Sequence, residues 1–185
     1  MPRRHWLFKS EPGAYSYDDL VRDGVAEWDG VRNFAARNFL RDQIKQGDGV
    51  LFYHSSTNPQ AVVGTAVVAR GGYPDHTAWD PKSDHPDPKS TPDNPTWFMV
   101  DIRAGERFTR PVTLEELKRV PALKDMTLFR LGRLSVQPVT AQEWKTIVKM
   151  GTEKVATPAA KPAASRIKTR PAARPAPAQR RRPVR

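Results

Sequence analysis

Apolar side chains fall into a few short runs along the first 150 residues and thin out sharply after Gly151. Trp6-Leu7-Phe8 predicts a short opening strand. The stretches 49–53 and 61–69 are apolar and rich in β-branched residues, which predicts buried strands. A further strand is expected from Trp97 to Ile102, and a strand running into a turn from Leu134 to Pro138. Helical spacing appears once over a long span. Ala36, Leu40 and Ile44 recur every fourth residue from Phe34 onward, with Gly47 as the stop. Serine or threonine sits three positions before an acid at Ser16/Asp19, Thr113/Glu116 and Thr140/Glu143. That spacing opens a helix, because the hydroxyl and the carboxylate can each satisfy a free backbone N–H at its start. The pattern predicts an α+β fold, a small mixed β-barrel with flanking short helices in one domain over residues 1–151. Residues 71–95, rich in Pro, Asp and His, carry no periodicity and are expected to form a long loop.

Charge separates two materials. Residues 1–151 carry 21 Lys and Arg against 19 Asp and Glu, a balance of +2 within the +11 of the chain. Residues 152–185 carry ten cations against Glu153 alone, together with six prolines and nine alanines. So few large apolar groups cannot offset the entropy of ordering, and a disordered basic C-terminal tail is expected there. Its cations include Lys161, Arg166, Lys168, Arg170, Arg174, Arg180, Arg181, Arg182 and Arg185. Proline-spaced cations of this kind suit sequence-independent phosphate binding through counterion release, with a solubilising tail as the alternative.

Several classes of chemistry drop out. The chain has no cysteine, hence no disulfide, thiolate metal site or nucleophilic thiol. It has no GxxxxGK[ST], no GxGxxG after a strand, no GxSxG and no HExxH. His76, Asp80, Asp84, His85 and Asp87 sit in the proline-broken loop without helical ligand spacing, so no metal and no cofactor are expected. No apolar run reaches the roughly 18–20 residues that span a bilayer. With no apolar leader after Met1, a cytoplasmic location is expected, nucleoid association being compatible with it, and no membrane partner.

Three segments carry candidate chemistry. Lys9-Ser10-Glu11-Pro12 delivers a cation, a hydroxyl and a carboxylate to one strand end, although Pro12 alone explains a strand stop. Trp28-Asp29-Gly30-Val31-Arg32-Asn33 places an aromatic plane beside donors and acceptors suited to a base edge. Equally, Asn33 could cap the helix at Phe34 and Trp28 could plug the core. Tyr53-His54-Ser55-Ser56 closes a buried strand with four polar groups, and His54 lacks the partners of a catalytic triad.

Taken in order, these segments resemble the EVE domain family within the broader PUA-like group, in particular its thymocyte-nuclear-protein-like members. The matching stretches are Trp6–Pro12, Trp28–Asn33, Ala36–Leu40, Gly47–Ser55, Val63–Gly64, Tyr73–Thr77, Asp93–Asp101 and Arg133–Pro138, nearly all of residues 5–150. The resemblance implies a PUA-like barrel with a pocket for a modified base presented out of DNA or RNA. Carried across position by position, the pocket is implied to comprise Lys9, Ser10, Trp28, Val31, Arg32, Asn33, Tyr53, His54, Ser55 and Ser135. Lys9 and Arg32 would face flanking phosphates. Where relatives tend to place an aromatic before Asp-Pro-Lys, this chain has His85-Pro86-Asp87-Pro88-Lys89, so Trp79 is the expected substitute. The expectation is a monomeric, non-enzymatic nucleic-acid reader. Two alternatives stay open: an enzyme acting on the extruded base through Glu11, Asp29 or His54, and a small-ligand or protein interaction module.

Overall fold

A computed structural model describes residues 2–153, so the cationic residues from Lys161 to Arg185 lie outside the described part. Six strands form one mixed sheet: β1 (His5–Ser10), β2 (Val25–Trp28), β3 (Gly49–His54), β4 (Ala61–Pro74), β5 (Phe98–Thr113) and β6 (Val136–Val139). Their spatial order is β2-β5-β4-β3-β1-β6. β1 runs parallel to β3, and the other pairings are antiparallel. The helices are α1 (Tyr17–Asp23), α2 (Phe34–Asn38), α3 (Leu114–Lys118), α4 (Thr127–Arg130) and α5 (Ala141–Thr152). This is the α+β arrangement that the apolar pattern predicts.

Both faces of the sheet are buried. On β1, Trp6 and Phe8 enter one core while Leu7 enters the other. On β3, Val50 and Phe52 alternate with Leu51 and Tyr53 in the same way. A strand covered on two sides has no reason to alternate polar with apolar, hence its continuous apolar run.

The sheet closes through side chains. Strands lie about 4.8 Å apart, so β2 and β1, four places away from each other, would stand roughly 19 Å apart in a flat sheet. Instead the Trp28 ring on β2 lies 5.2 Å from Phe8 on β1 and 5.6 Å from Phe52 on β3. The sheet therefore curls into a barrel whose seam is bridged by an indole.

All three capping boxes form: Ser16 with Asp19, Thr113 with Glu116, and Thr140 with Glu143. The helix expected from Phe34 changes character midway, α2 giving way to a π-helical turn over Phe39–Gln43. Four α-helical residues overshoot a full turn by about 40°. A wider turn undershoots and brings Ile44 back over the line of Ala36 and Leu40, all three being fully buried.

Two expectations need correction. The hairpin β4–β5 is far longer than the runs 61–69 and 97–102, and its pairing shifts register repeatedly. Bulges of this kind break the alternation that marks a strand in sequence. The unpatterned stretch 71–95 is accordingly shorter as a loop: its first residues belong to β4, and His76–Trp79 form a 3-10 turn.

Candidate functional site

The ends of β1 and β2 open onto a cavity of about 630 Å³. Lys9 and Ser10 contribute from β1 and Glu11 from just beyond it, Glu27 to Asn33 from the end of β2 and the turn that follows, with Ala14, Tyr15, Ser135 and His85 completing the wall. Seven of the eleven residues expected at a pocket meet here: Lys9, Ser10, Trp28, Val31, Arg32, Asn33 and Ser135. Tyr53 and Ser55 line an adjoining cavity of about 330 Å³ that shares Lys9, Glu11 and Ser135 with the first. His54 and Trp79 line neither. The His54 Nε2 accepts the Tyr17 backbone N–H at 3.1 Å, and Trp79 belongs to the 3-10 turn of the long loop. From that loop His85 reaches the cavity instead.

Arg32 does not face solvent phosphate. Its Nη1 donates to Asp75 Oδ2 at 2.6 Å, and its Nε and Nη2 both donate to the His85 carbonyl, at 2.8 and 2.6 Å. The guanidinium also lies 5.5 Å from the Trp97 ring. Asp75 has no exposed surface and also accepts from the Gly30 N–H and from the Thr77 N–H and hydroxyl. Burial alone would raise its carboxyl, but the hydrogen bonds from Thr77 and Arg32 outweigh it and hold the group below the usual carboxylate range. Gly30 is left-handed at φ +68°, and a Cβ there would lie 2.8 Å from the His85 ring. Arg32 thus works as a strut that pins the long loop across the turn after β2.

The other lining groups are also partly committed. Trp28 is 8% exposed and packs into the core, so only a margin of the indole borders the cavity. Asn33 Oδ1 accepts from the Ala36 N–H at 3.0 Å, capping α2. That leaves its NH2 free to donate to a ligand and one lone pair of the oxygen uncommitted. The Ser10 hydroxyl donates to the Tyr15 carbonyl at 2.5 Å and keeps lone pairs for an incoming donor. Lys9 Nζ donates to the Gly132 carbonyl at 2.7 Å, and burial lowers its pKa. Tyr53 gives its hydroxyl proton to Gln60, and burial pushes that phenol up to about 12.

Glu11, Glu27 and Asp29 give the lining more carboxylates than cations. Desolvation first, then the Asp75 charge, pushes the Asp29 carboxyl above its ordinary value. Hydrogen bonding from an exocyclic amino group would suit such a wall, since carboxylates accept only. The sequence pointed to Glu11 and Asp29 as acid or base candidates. Glu27 and His85 escaped because β2 is a short edge strand and the loop carries no periodicity.

The curled mixed sheet and the cavity at its strand ends define a PUA-like α+β domain. The chain belongs to the EVE domain family, whose model matches residues 4–150. Thymocyte nuclear protein 1 of mouse is 40% identical over 165 residues, covering 79% of this chain and 73% of that protein. The zebrafish protein of the same name is 38% identical over 167 residues, covering 80% and 72%. Among solved structures, a hypothetical protein from Leishmania major superposes with a TM-score of 0.78 at 47% identity, covering 81% of this chain and 95% of that one. The human THYN1 protein, in complex with DNA containing 5-methylcytosine, superposes with a TM-score of 0.77 at 37% identity, covering 82% and 99%. The vertebrate relatives are named as nuclear proteins, which overturns the expectation of a cytoplasmic location.

Proposed function

We propose that this protein is a non-enzymatic reader that holds a modified base of DNA, turned out of its stack, in the 630 Å³ cavity. The observation that carries the reading is that cavity itself, concave and bordered by an indole, with groups of fixed polarity around it. The human relative's complex with 5-methylcytosine DNA supports the same reading. Extruding a base costs a few kcal/mol, regained by apolar contact and by hydrogen bonds along the base edge. Asp29 suits the amino group of a cytosine, which donates to carboxylates, whereas the Glu27 carboxylate is turned to the Tyr73 hydroxyl. The Asn33 amide suits a carbonyl acceptor on the same ring. A methyl group fitted against the Trp28 margin and Val31 would gain about 1–3 kcal/mol. The body carries only +2, and we propose that the cations of residues 152–185 hold phosphate at high local concentration.

Equilibrium binding to duplexes that differ only in one cytosine or 5-methylcytosine tests the reading. Tighter binding of the methylated duplex is expected, at a ratio that survives removal of residues 154–185. Equal binding of the two duplexes rejects it. Release of a free base, seen by mass spectrometry, would favour an enzyme in which Asp29, with its raised pKa, supplies the proton.

A further inference from the structure

Phe34 opens α2 and directly follows Asn33, which lines the cavity. It is 60% exposed, the most open of the four large apolar side chains on the described surface. Such a side chain normally samples several rotamers, yet this one is held on two sides. The Trp97 ring lies 4.9 Å away at a tilt of 32°, and the Arg37 guanidinium lies 5.0 Å from the phenyl centroid.

Those supports are themselves fixed. Trp97 is 6% exposed, donates its indole N–H to Asp87 at 2.7 Å, and carries the Arg32 guanidinium 5.5 Å from its ring. Arg37 is tied to the Thr96 carbonyl at 2.7 Å and to Asn38 Oδ1 at 2.8 Å. None of this serves the interior, because Phe34 belongs to neither core. The molecule thus orients an aromatic ring that it does not bury, one residue from a cavity-lining amide.

We propose that Phe34 is a stacking platform for the nucleotide next to the one held in the cavity. The inference rests on the reading of the cavity as a base pocket. When a base leaves its stack, its neighbour loses a stacking partner, and an oriented phenyl next to Asn33 replaces it. Base–aromatic stacking is tolerant of sequence, since every base has a π face. Phe34 therefore adds affinity for the polynucleotide without adding preference for the modification.

The test compares a duplex bearing one 5-methylcytosine, with 2-aminopurine beside it, against the free nucleoside 5-methyl-2′-deoxycytidine. Phe34→Ala in the full chain should bind the duplex about 5- to 150-fold more weakly. It should also reduce the change in 2-aminopurine fluorescence on binding. Phe34→Trp should retain both, and both variants should bind the nucleoside in an NMR titration as the parent does. Unchanged duplex affinity in Phe34→Ala, with nucleoside binding intact, overturns the platform and leaves the pocket standing. Nucleoside binding lost along with duplex binding also overturns it, by assigning Phe34 to the cavity. A parent protein that prefers neither methylated probe removes the pocket and the platform together.

Discussion

Arg32 and Asp75 stand 43 residues apart in the chain and meet at 2.6 Å, the carboxylate fully enclosed and the guanidinium largely so. The pair joins the turn that carries Trp28 to the loop that carries His85. With the Gly30 N–H on Asp75 and the two Arg32 bonds to the His85 carbonyl, it ties these two parts of the cavity wall together.

Removing one partner of a buried pair leaves the other charged and unpaired, at a cost of about 3–5 kcal/mol. Arg32→Ala should lose stability on that scale in urea unfolding and speed amide exchange across residues 75–97. Arg32→Lys should rescue little, because an ammonium cannot span Asp75 and the His85 carbonyl with a planar fork. Full rescue by lysine would show that charge alone matters here.

Trp28→Ala should cost about 3–5 kcal/mol, as expected for an aromatic removed from a core. The indole bridges β2 to Phe8 and Phe52, so the seam of the barrel loses its closure. Trp28→Phe should recover much of the stability and less of the methyl preference. A Trp28→Ala protein that melts with the parent would contradict the seam.

Asp29 is pushed up, chiefly by desolvation, so its ionised form is disfavoured in the folded chain. A raised carboxylate pKa costs stability at neutral pH, and the cost disappears once the pH falls below its unfolded value near 3.8. Asp29→Asn should therefore melt higher than the parent at pH 7 and alongside it in acid. Binding of the 5-methylcytosine duplex should weaken in the same variant. Lower stability at pH 7 would reverse the sign and reject the argument.

His54 is lowered, by burial first, with Asp18 raising it and Arg107 lowering it further. Only the neutral ring accepts from the Tyr17 N–H, so protonation sets donor against donor. Stability from this group is complete above the unfolded value of 6.5 and declines as pH falls toward the lowered folded value. His54→Gln should flatten that part of the curve of melting temperature against pH. His5, also lowered by burial, should leave a residual slope. An unaltered acid limb would show that His54 takes no part.

Deleting residues 154–185 should reduce the slope of log K against log salt by several units, each engaged cation contributing roughly −0.9 on duplex DNA. The ratio of methylated to plain binding should persist. An unchanged slope would assign the tail to solubility.

Local chemistry was the most legible in the sequence. Ser16, Thr113 and Thr140 lie three residues from the acids they pair with, so each helix start can be read without knowledge of the rest. β1 and β3 were equally plain, because strands buried on both sides announce themselves as apolar runs. β2 was not, since only Trp28 of its four residues is buried. The second half of β5 was hidden too, its polar stretch returning to the core only at Phe108 and Val112. Arg32 resembled a phosphate ligand because its partners lie in a distant loop, and no spacing rule connects position 32 to 75 or 85. Asn33 was readable both as a cap and as a base contact, and its carbonyl oxygen serves the first.

The indole that borders the cavity is also the side chain that closes the barrel, and this constrains how such a pocket can diversify. Substitutions at Trp28 change the shape of the floor only by disturbing Phe8 and Phe52 behind it. Glu27 and His85 stand outside both cores and can vary at little cost to the fold. Descendants of a common ancestor should accordingly keep the floor and exchange the rim, acquiring new base preferences from the periphery inward.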